Sequence, residues 1–164
     1  LPTRADGTLR CTFLAMGHGT CAVVELPGGE TLLYDAGSLA SPTGASRTIR
    51  SFLFSRGVTH LDGIVISHAD IDHYNAVPDL LDVFPTDVVY VSPVMFLDWE
   101  TSNQAEALAC LREVLGQRGV ELREIGRHDR LAAADAQVEI NVLHPPKQGV
   151  GGRDNANSLV LAIE

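Results

Sequence analysis

The run His68-Ala69-Asp70-Ile71-Asp72-His73 puts two imidazoles and two carboxylates into six residues. Groups crowded in this way repel or stay unpaired unless a cation neutralises them, so their types and spacing point to a metal site. A lone histidine after a strand reads as part of a solvated polar loop; four ligating groups at this spacing do not. The residues just before the run explain how it is delivered. Residues 61–67 are almost continuously apolar, the pattern of a strand buried on both faces. Buried strands of layered α/β proteins open at their carboxyl ends onto ligand crevices, and His68 stands at that end.

The surrounding elements must hold that strand. Residues 12–16 and 21–26 read as short strands, and Pro27-Gly28-Gly29-Glu30 as a tight turn into a third strand over 31–35. Residues 37–44 read as a loop. Ser46 is expected to cap a helix running to about Arg56, with Ile49, Phe52 and Leu53 on one face and Gly57 ending it. After the motif come a helix over 75–83 and a buried strand over 88–91. A helix over 103–117 follows, closed by Gly116 and Gly119. Strands are expected over 120–125 and 138–143, a loop over 145–152, and a last strand over 158–163. Strands interleaved with helices indicate an α/β layered domain, and the opening hairpin makes its sheet mixed.

The chain has 164 residues, enough for one domain with an ordinary core, and neither a linker nor a second domain is visible in it. A net charge of −9 argues against this surface alone gripping a phosphate backbone. An enzyme whose acidic groups gather divalent cations is less affected, because the cations invert the local field. No apolar run is long enough to cross a bilayer, so no membrane contact is evident. The chain starts without Met or a signal-peptide pattern and stops at Ile163-Glu164, inside an expected strand. Both ends read as cuts within a longer protein. Cys11, Cys21 and Cys110 lack C-x-x-C spacing and are expected to be buried free thiols.

The motif resembles the H-x-[HD]-x-D-H signature of the metallo-β-lactamase superfamily. The order of further segments resembles the ComEC-type competence proteins within it. These are Phe13-Leu14-Ala15-Met16-Gly17-His18-Gly19, Leu32-Leu33-Tyr34-Asp35-Ala36-Gly37, Val142-Leu143-His144-Pro145-Pro146 and Asp154-Asn155-Ala156-Asn157-Ser158-Leu159-Val160-Leu161. The resemblance spans nearly the whole chain. It implies the αββα layered fold, of which this chain would hold the N-terminal portion. It also implies a two-metal centre, with His68 and Asp70 serving one ion and Asp72 and His73 the other. Asp72 would also orient the attacking water. Zinc or manganese is the expected metal, and Asp70, standing where many members have histidine, hardens the site toward manganese or magnesium. Two such ions lower the pKa of water and clamp attacking and leaving oxygens.

Around the ligands, Asp35 is expected to hold the metal loop by hydrogen bonds rather than to ligate. His18 replaces the family's Gln in Gly-Gln-Gly-Asp; it reads as a polar tip on a Gly turn, with an auxiliary role near the metal as the alternative. Asn155 and Asn157 stand where the superfamily has its next histidine ligand. They either bring an amide oxygen near the metals or cap the last strand. In the family the bridging aspartate and last histidine follow the strand that starts at Ser158, so both would lie beyond Glu164.

The function expected from the resemblance is that of a hydrolase domain, a phosphodiesterase or nuclease, from a ComEC-like DNA-uptake protein. Single-stranded DNA and the membrane channel portion of the parent chain would be its partners. The parent would sit in the inner or cytoplasmic membrane with this domain at its surface. Hydrolysis of small esters, thioesters or lactams is the alternative chemistry, and the acidic charge fits it better. A non-catalytic metal-binding or docking fragment is the alternative without chemistry.

Overall fold

The computed structural model describes residues 7–96, 104–151 and 154–164. Six strands form the main sheet in sequence order: β1 (Arg10–Phe13), β2 (Ala22–Glu25), β3 (Thr31–Tyr34), β4 (Gly63–Ile66), β5 (Val88–Val91) and β6 (Glu121–Glu124). The first three meander antiparallel through the expected 27–30 turn, and the remainder run parallel to β3. The sheet is therefore mixed. Three helices supply its crossovers: α1 (Pro42–Ser55), α2 (Val77–Leu81) and α3 (Ala105–Arg118). A second, antiparallel sheet holds β7 (Arg130–Leu131), β8 (Ile140–His144) and β9 (Val160–Ile163), with β8 central.

The apolar runs are continuous because each central strand serves two cores. Val23, Leu33, Ile64, Ile66, Val89 and Val91 pack toward Ile49, Leu53, Leu80, Leu108 and Leu111 of the helices. Their alternates Val24, Leu32, Val65, Val88 and Tyr90 pack toward Leu131, Ile140, Val142 and Leu159 of the second sheet. The period-2 pleat thus sorts one string of Val, Ile and Leu into two layers. Among the described residues the order is helices, sheet, sheet. That makes an α/β fold of the layered kind expected, with its helices on one face.

Several boundaries differ from the sequence reading. Helix α1 starts four residues before Ser46, because Ser41 is its cap: the Ser41 hydroxyl accepts the Gly44 N–H at 2.9 Å, and Pro42 takes the first turn. Ser46 lies inside the helix and is buried. Gly116 is also helical; the left-handed cap of α3 is Gly119, at φ 64°. The expected start of that helix at Asn103 lies outside the described residues. β1 forms over Arg10–Phe13 rather than 12–16, and the short strand β7 gave no sequence signal.

The thiols divide as well. Cys21 is buried as expected, whereas Cys11 and Cys110 are exposed, and all three are free. Burial, then the charge of Asp35, pushes the Cys21 thiol up to about 12. In native protein at pH 8, an alkylating reagent should therefore modify two thiols quickly and Cys21 only after denaturation. Mass spectrometry of the labelled peptides reads this directly, and rapid native labelling of Cys21 would contradict the burial.

Candidate metal centre

Strand β4 ends at Ile66, and Ser67 and His68 continue it into the motif loop with 3% and 6% exposure. A short 3-10 turn, Ile71–His73, then reverses the chain, so His73 comes back beside His68. The two imidazole centroids are 4.0 Å apart. His68 Nε2 lies 3.1 Å from Asp70 Oδ2. Asp72 is half-buried on the same turn as His73.

The loop is clamped to the segment after β3. Ala36 donates to the His73 carbonyl at 2.7 Å, and Ala76 donates to the Ala36 carbonyl at 3.0 Å. The Asn75 side chain accepts from Ser38 N–H and donates to the Ser38 carbonyl, both at 3.0 Å. At Gly37, a Cβ would stand 2.4 Å from the Asp72 carbonyl oxygen. Only glycine permits that approach.

Asp35 lies beneath the loop at 1% exposure, with φ 60° in the left-handed region where Asp is among the few tolerated residues. Its Oδ1 accepts the Ser67 N–H at 2.7 Å. Its Oδ2 accepts the Ser67 hydroxyl at 2.9 Å and His73 Nδ1 at 2.8 Å. Burial on its own would lower the pKa of His73. The bond to Asp35 and its charge, with smaller contributions from Asp72 and Asp70, outweigh that and hold it above the ordinary value. A divalent cation at this place would meet the same negative field. Next door, burial and then Asp35 push the Tyr34 phenol up to about 12, so it stays a donor, to the Leu159 carbonyl.

Within the motif, His68 and Asp70 are spaced as two ligands of one divalent ion, whereas neither Asp72 nor His73 brings a third ligating atom within 4.8 Å of both. Since Asp35 can only accept, His73 must carry its proton on Nδ1, which leaves the Nε2 lone pair for a ligand. Two ligands held about 2.0–2.1 Å from one ion are about 3.0–3.4 Å apart at ordinary coordination angles. The 3.1 Å between His68 Nε2 and Asp70 Oδ2 is such an edge. Gln104 steadies Asp70 from the start of α3, donating to Oδ1 at 3.2 Å.

The remaining candidates are placed as follows. The His18 ring is exposed, while its carbonyl accepts from Leu39 N–H at 2.7 Å. Asn157 spends its amide on the backbone of Val150, accepting at 2.7 Å and donating at 3.0 Å. Asn155 is exposed and offers its carbonyl to the Ser158 hydroxyl at 2.9 Å. Within this segment it is Ser158 that reaches the motif, 3.3 Å from His68 Nδ1. Sequence reasoning passed over Ser67, Ser158 and Gln104, since serine and glutamine at these positions carry no spacing signal of their own.

One group of three ligating atoms lying within 4.8 Å of one another occurs among the described residues: His60, Asp62 and Asp87. It lies at the N-terminal ends of β4 and β5, away from the motif. Its His60–Asp87 pair, 40% and 63% exposed, is the kind of surface contact that contributes little.

The sequence profile of the metallo-beta-lactamase superfamily matches residues 15–109. The chain belongs to that superfamily, whose members are metal-dependent hydrolases that bind divalent metals. Solved structures agree in fold. Zinc-bound PqqB from Methylobacterium extorquens superposes with a TM-score of 0.53 at 15% identity, over 88% of this chain and 45% of that one. A motif mutant of a metallo-beta-lactamase from Cronobacter sakazakii gives 0.51 at 18% identity, over 81% and 50%. A flavo di-iron protein mutant from Thermotoga maritima gives 0.52 at 14%, over 89% and 31%. The chain thus spans half or less of the length of each. No curated protein matches the sequence. Among the described residues no helix is long and apolar enough to cross a membrane.

Proposed function

We propose that residues 1–164 form the metal-binding portion of a phosphodiester-cleaving hydrolase domain of the ComEC type. Its parent would be a DNA-uptake protein of the inner or cytoplasmic membrane, with single-stranded DNA as substrate and the membrane channel portion of the same chain as neighbour. The observation that carries the metal part is the 3.1 Å His68–Asp70 edge beside a His73 whose Nδ1 is committed to Asp35. The DNA part rests on the resemblance of the four segments flanking the motif.

Two divalent ions, zinc or manganese, would be held by His68 with Asp70 and by Asp72 with His73. They would supply Lewis-acid activation of water and of the phosphoryl oxygen. The chain's own residues do the positioning. Asp35 fixes His73, Gln104 steadies Asp70, and Asp72 orients the water for attack on phosphorus. The net charge of −9 favours a second reading, hydrolysis of a small ester, thioester or lactam at the same site.

Metal content by mass spectrometry tests the first step, for this chain and for the full parent protein. Absence of metal from both would sink it. Cleavage of single-stranded DNA with manganese present, compared with a simple phosphodiester and a thioester, separates the two chemistries. Asp72→Asn should lower turnover by about 10²–10⁴-fold, the usual range for losing a positioned proton acceptor. Turnover equal to the parent's would remove Asp72 from that role.

A further inference from the structure

We propose that the groove between α1 and α2 is a binding track for single-stranded DNA, with Arg47 and Arg50 on its phosphates and Phe54 against a base. The purpose of the track rests on the phosphodiester reading above. Its chemistry follows from which cations the fold leaves unpaired.

The groove encloses about 390 Å³ along one face of α1, at Thr43, Ser46, Arg47, Arg50 and Phe54, with Asp79 of α2 opposite. Spacings of three and four residues put these α1 side chains in one row. From Thr43 to Phe54 the row is roughly 16 Å long at the helical rise.

The chain has 21 acidic residues against 12 arginines and lysines, so a basic side chain seldom lacks a carboxylate nearby. Arg10 and Arg56 pair with Glu25, Arg118 with Asp82, Arg123 with Glu121, Arg130 with Glu139 and Lys147 with Asp129. Arg127 donates to the Leu143 carbonyl, and Arg112 lies over the Phe96 ring. Among the described residues only Arg47 and Arg50 have neither an ion pair nor a hydrogen bond, and they share this groove. Like charges one helical turn apart repel. An anion from outside removes that repulsion, and the guanidinium fork matches the oxygens of a phosphate.

A second observation points the same way. Ser46 is 2% exposed and lines the groove, yet its hydroxyl meets no partner among the described residues. Buried hydroxyls are nearly always hydrogen-bonded. A phosphate oxygen held by the neighbouring arginines would supply the missing bond.

Phe54 selects among anions. Its ring is 52% exposed at the far end of the row, with Phe84 beside it at a centroid distance of 5.1 Å. An exposed ring next to cations is a stacking platform for an unpaired base, which a duplex does not offer. A lipid headgroup has nothing flat to place there. The Thr43 end of the row lies just past the Ser41 cap, on the segment whose Gly37 and Ser38 pack on the motif loop. A strand in the groove therefore has one end on the motif side. Asp79 is the unfavourable charge, although it pairs with neither arginine.

Fluorescence anisotropy of a labelled oligothymidine, at low salt and with chelator present, measures binding apart from cleavage. Joint replacement by Arg47→Ala and Arg50→Ala should weaken binding at least about tenfold and reduce the slope of log affinity against log salt by about 1.4, two phosphate contacts' worth. Phe54→Ala should weaken it about fivefold or more with the slope unchanged. Asp79→Asn should tighten it. A double arginine variant that keeps its thermal midpoint and binds like the parent overturns the proposal. Equal arginine-dependent binding of free thymidine monophosphate would mean a nucleotide pocket, and capture by phosphatidylglycerol vesicles without strand binding a lipid surface; either overturns the track. If the strand binds as expected but manganese brings no cleavage, the track stands and the nuclease reading fails. Cleavage indifferent to both arginines keeps that reading and removes the track.

Discussion

Asp35→Ala should lose about 3–5 kcal/mol of stability, the range for removing one partner of a buried charged contact. Three donors converge on this carboxylate: the Ser67 N–H, the Ser67 hydroxyl and His73 Nδ1. Each is left facing an apolar methyl, and a stranded buried donor costs about 1–3 kcal/mol. Alanine also fits poorly at φ 60°, where L-residues with a bare Cβ lose roughly 1–2 kcal/mol. Asp35→Asn separates these effects. Asparagine tolerates the left-handed backbone and keeps the shape, but turns an amide toward one of the three donors. It should recover less than half of the loss. Urea denaturation reads the stability, and chelator competition should show metal affinity falling by about 10–100-fold in both variants. An alanine variant within about 1 kcal/mol of the parent would mean the network is ornamental to folding.

How much of this was visible in the sequence depends on the kind of signal. The apolar run before His68 announced a doubly buried strand, because both faces of β4 must be covered. The 27–30 turn and the mixed sheet were equally plain, since Pro-Gly-Gly has few other uses. Helix α1 was misplaced because the Gly, Ser and Pro of residues 37–44 read as a loop, and the cap depends on which serine's hydroxyl meets a free N–H. Cys11 and Cys110 were expected inside on residue type alone, but they fall on an edge strand and on the outer side of α3, where type does not decide. That the four motif residues share one loop was legible from spacing. Their supports were not: the links from Ser67 to Asp35 and from Ser158 to His68 span 32 and 90 residues and exist only once the sheets are assembled.

Gly37→Ala is expected to cost about 3 kcal/mol or more, at the upper end of overpacking penalties. The added methyl would lie 2.4 Å from the Asp72 oxygen, 2.6 Å from its carbonyl carbon and 2.9 Å from Asn75 Oδ1. Two of those three atoms are backbone, which cannot swing aside as a side chain can. Retreat in the other direction is also blocked, because Gly19 packs so tightly on Gly37 that its own Cβ would come within 2.2 Å of the Gly37 oxygen. Three chain segments, around 19, 37 and 72, are therefore stacked backbone on backbone, with the motif loop on one side. The only relief is displacement of that loop, so the damage should reach Asp72 and His73 and weaken metal retention together with stability. Gly116→Ala supplies the contrast: the site lies in α3 with nothing within 4 Å of a new Cβ, and alanine there should gain about 0.5–1 kcal/mol. Thermal midpoints moving in opposite directions for the two variants would tie this close backbone stacking to the candidate metal loop. A Gly37→Ala protein with parental stability would show that the stacking tolerates a methyl, and that glycine is not what sets the position of Asp72.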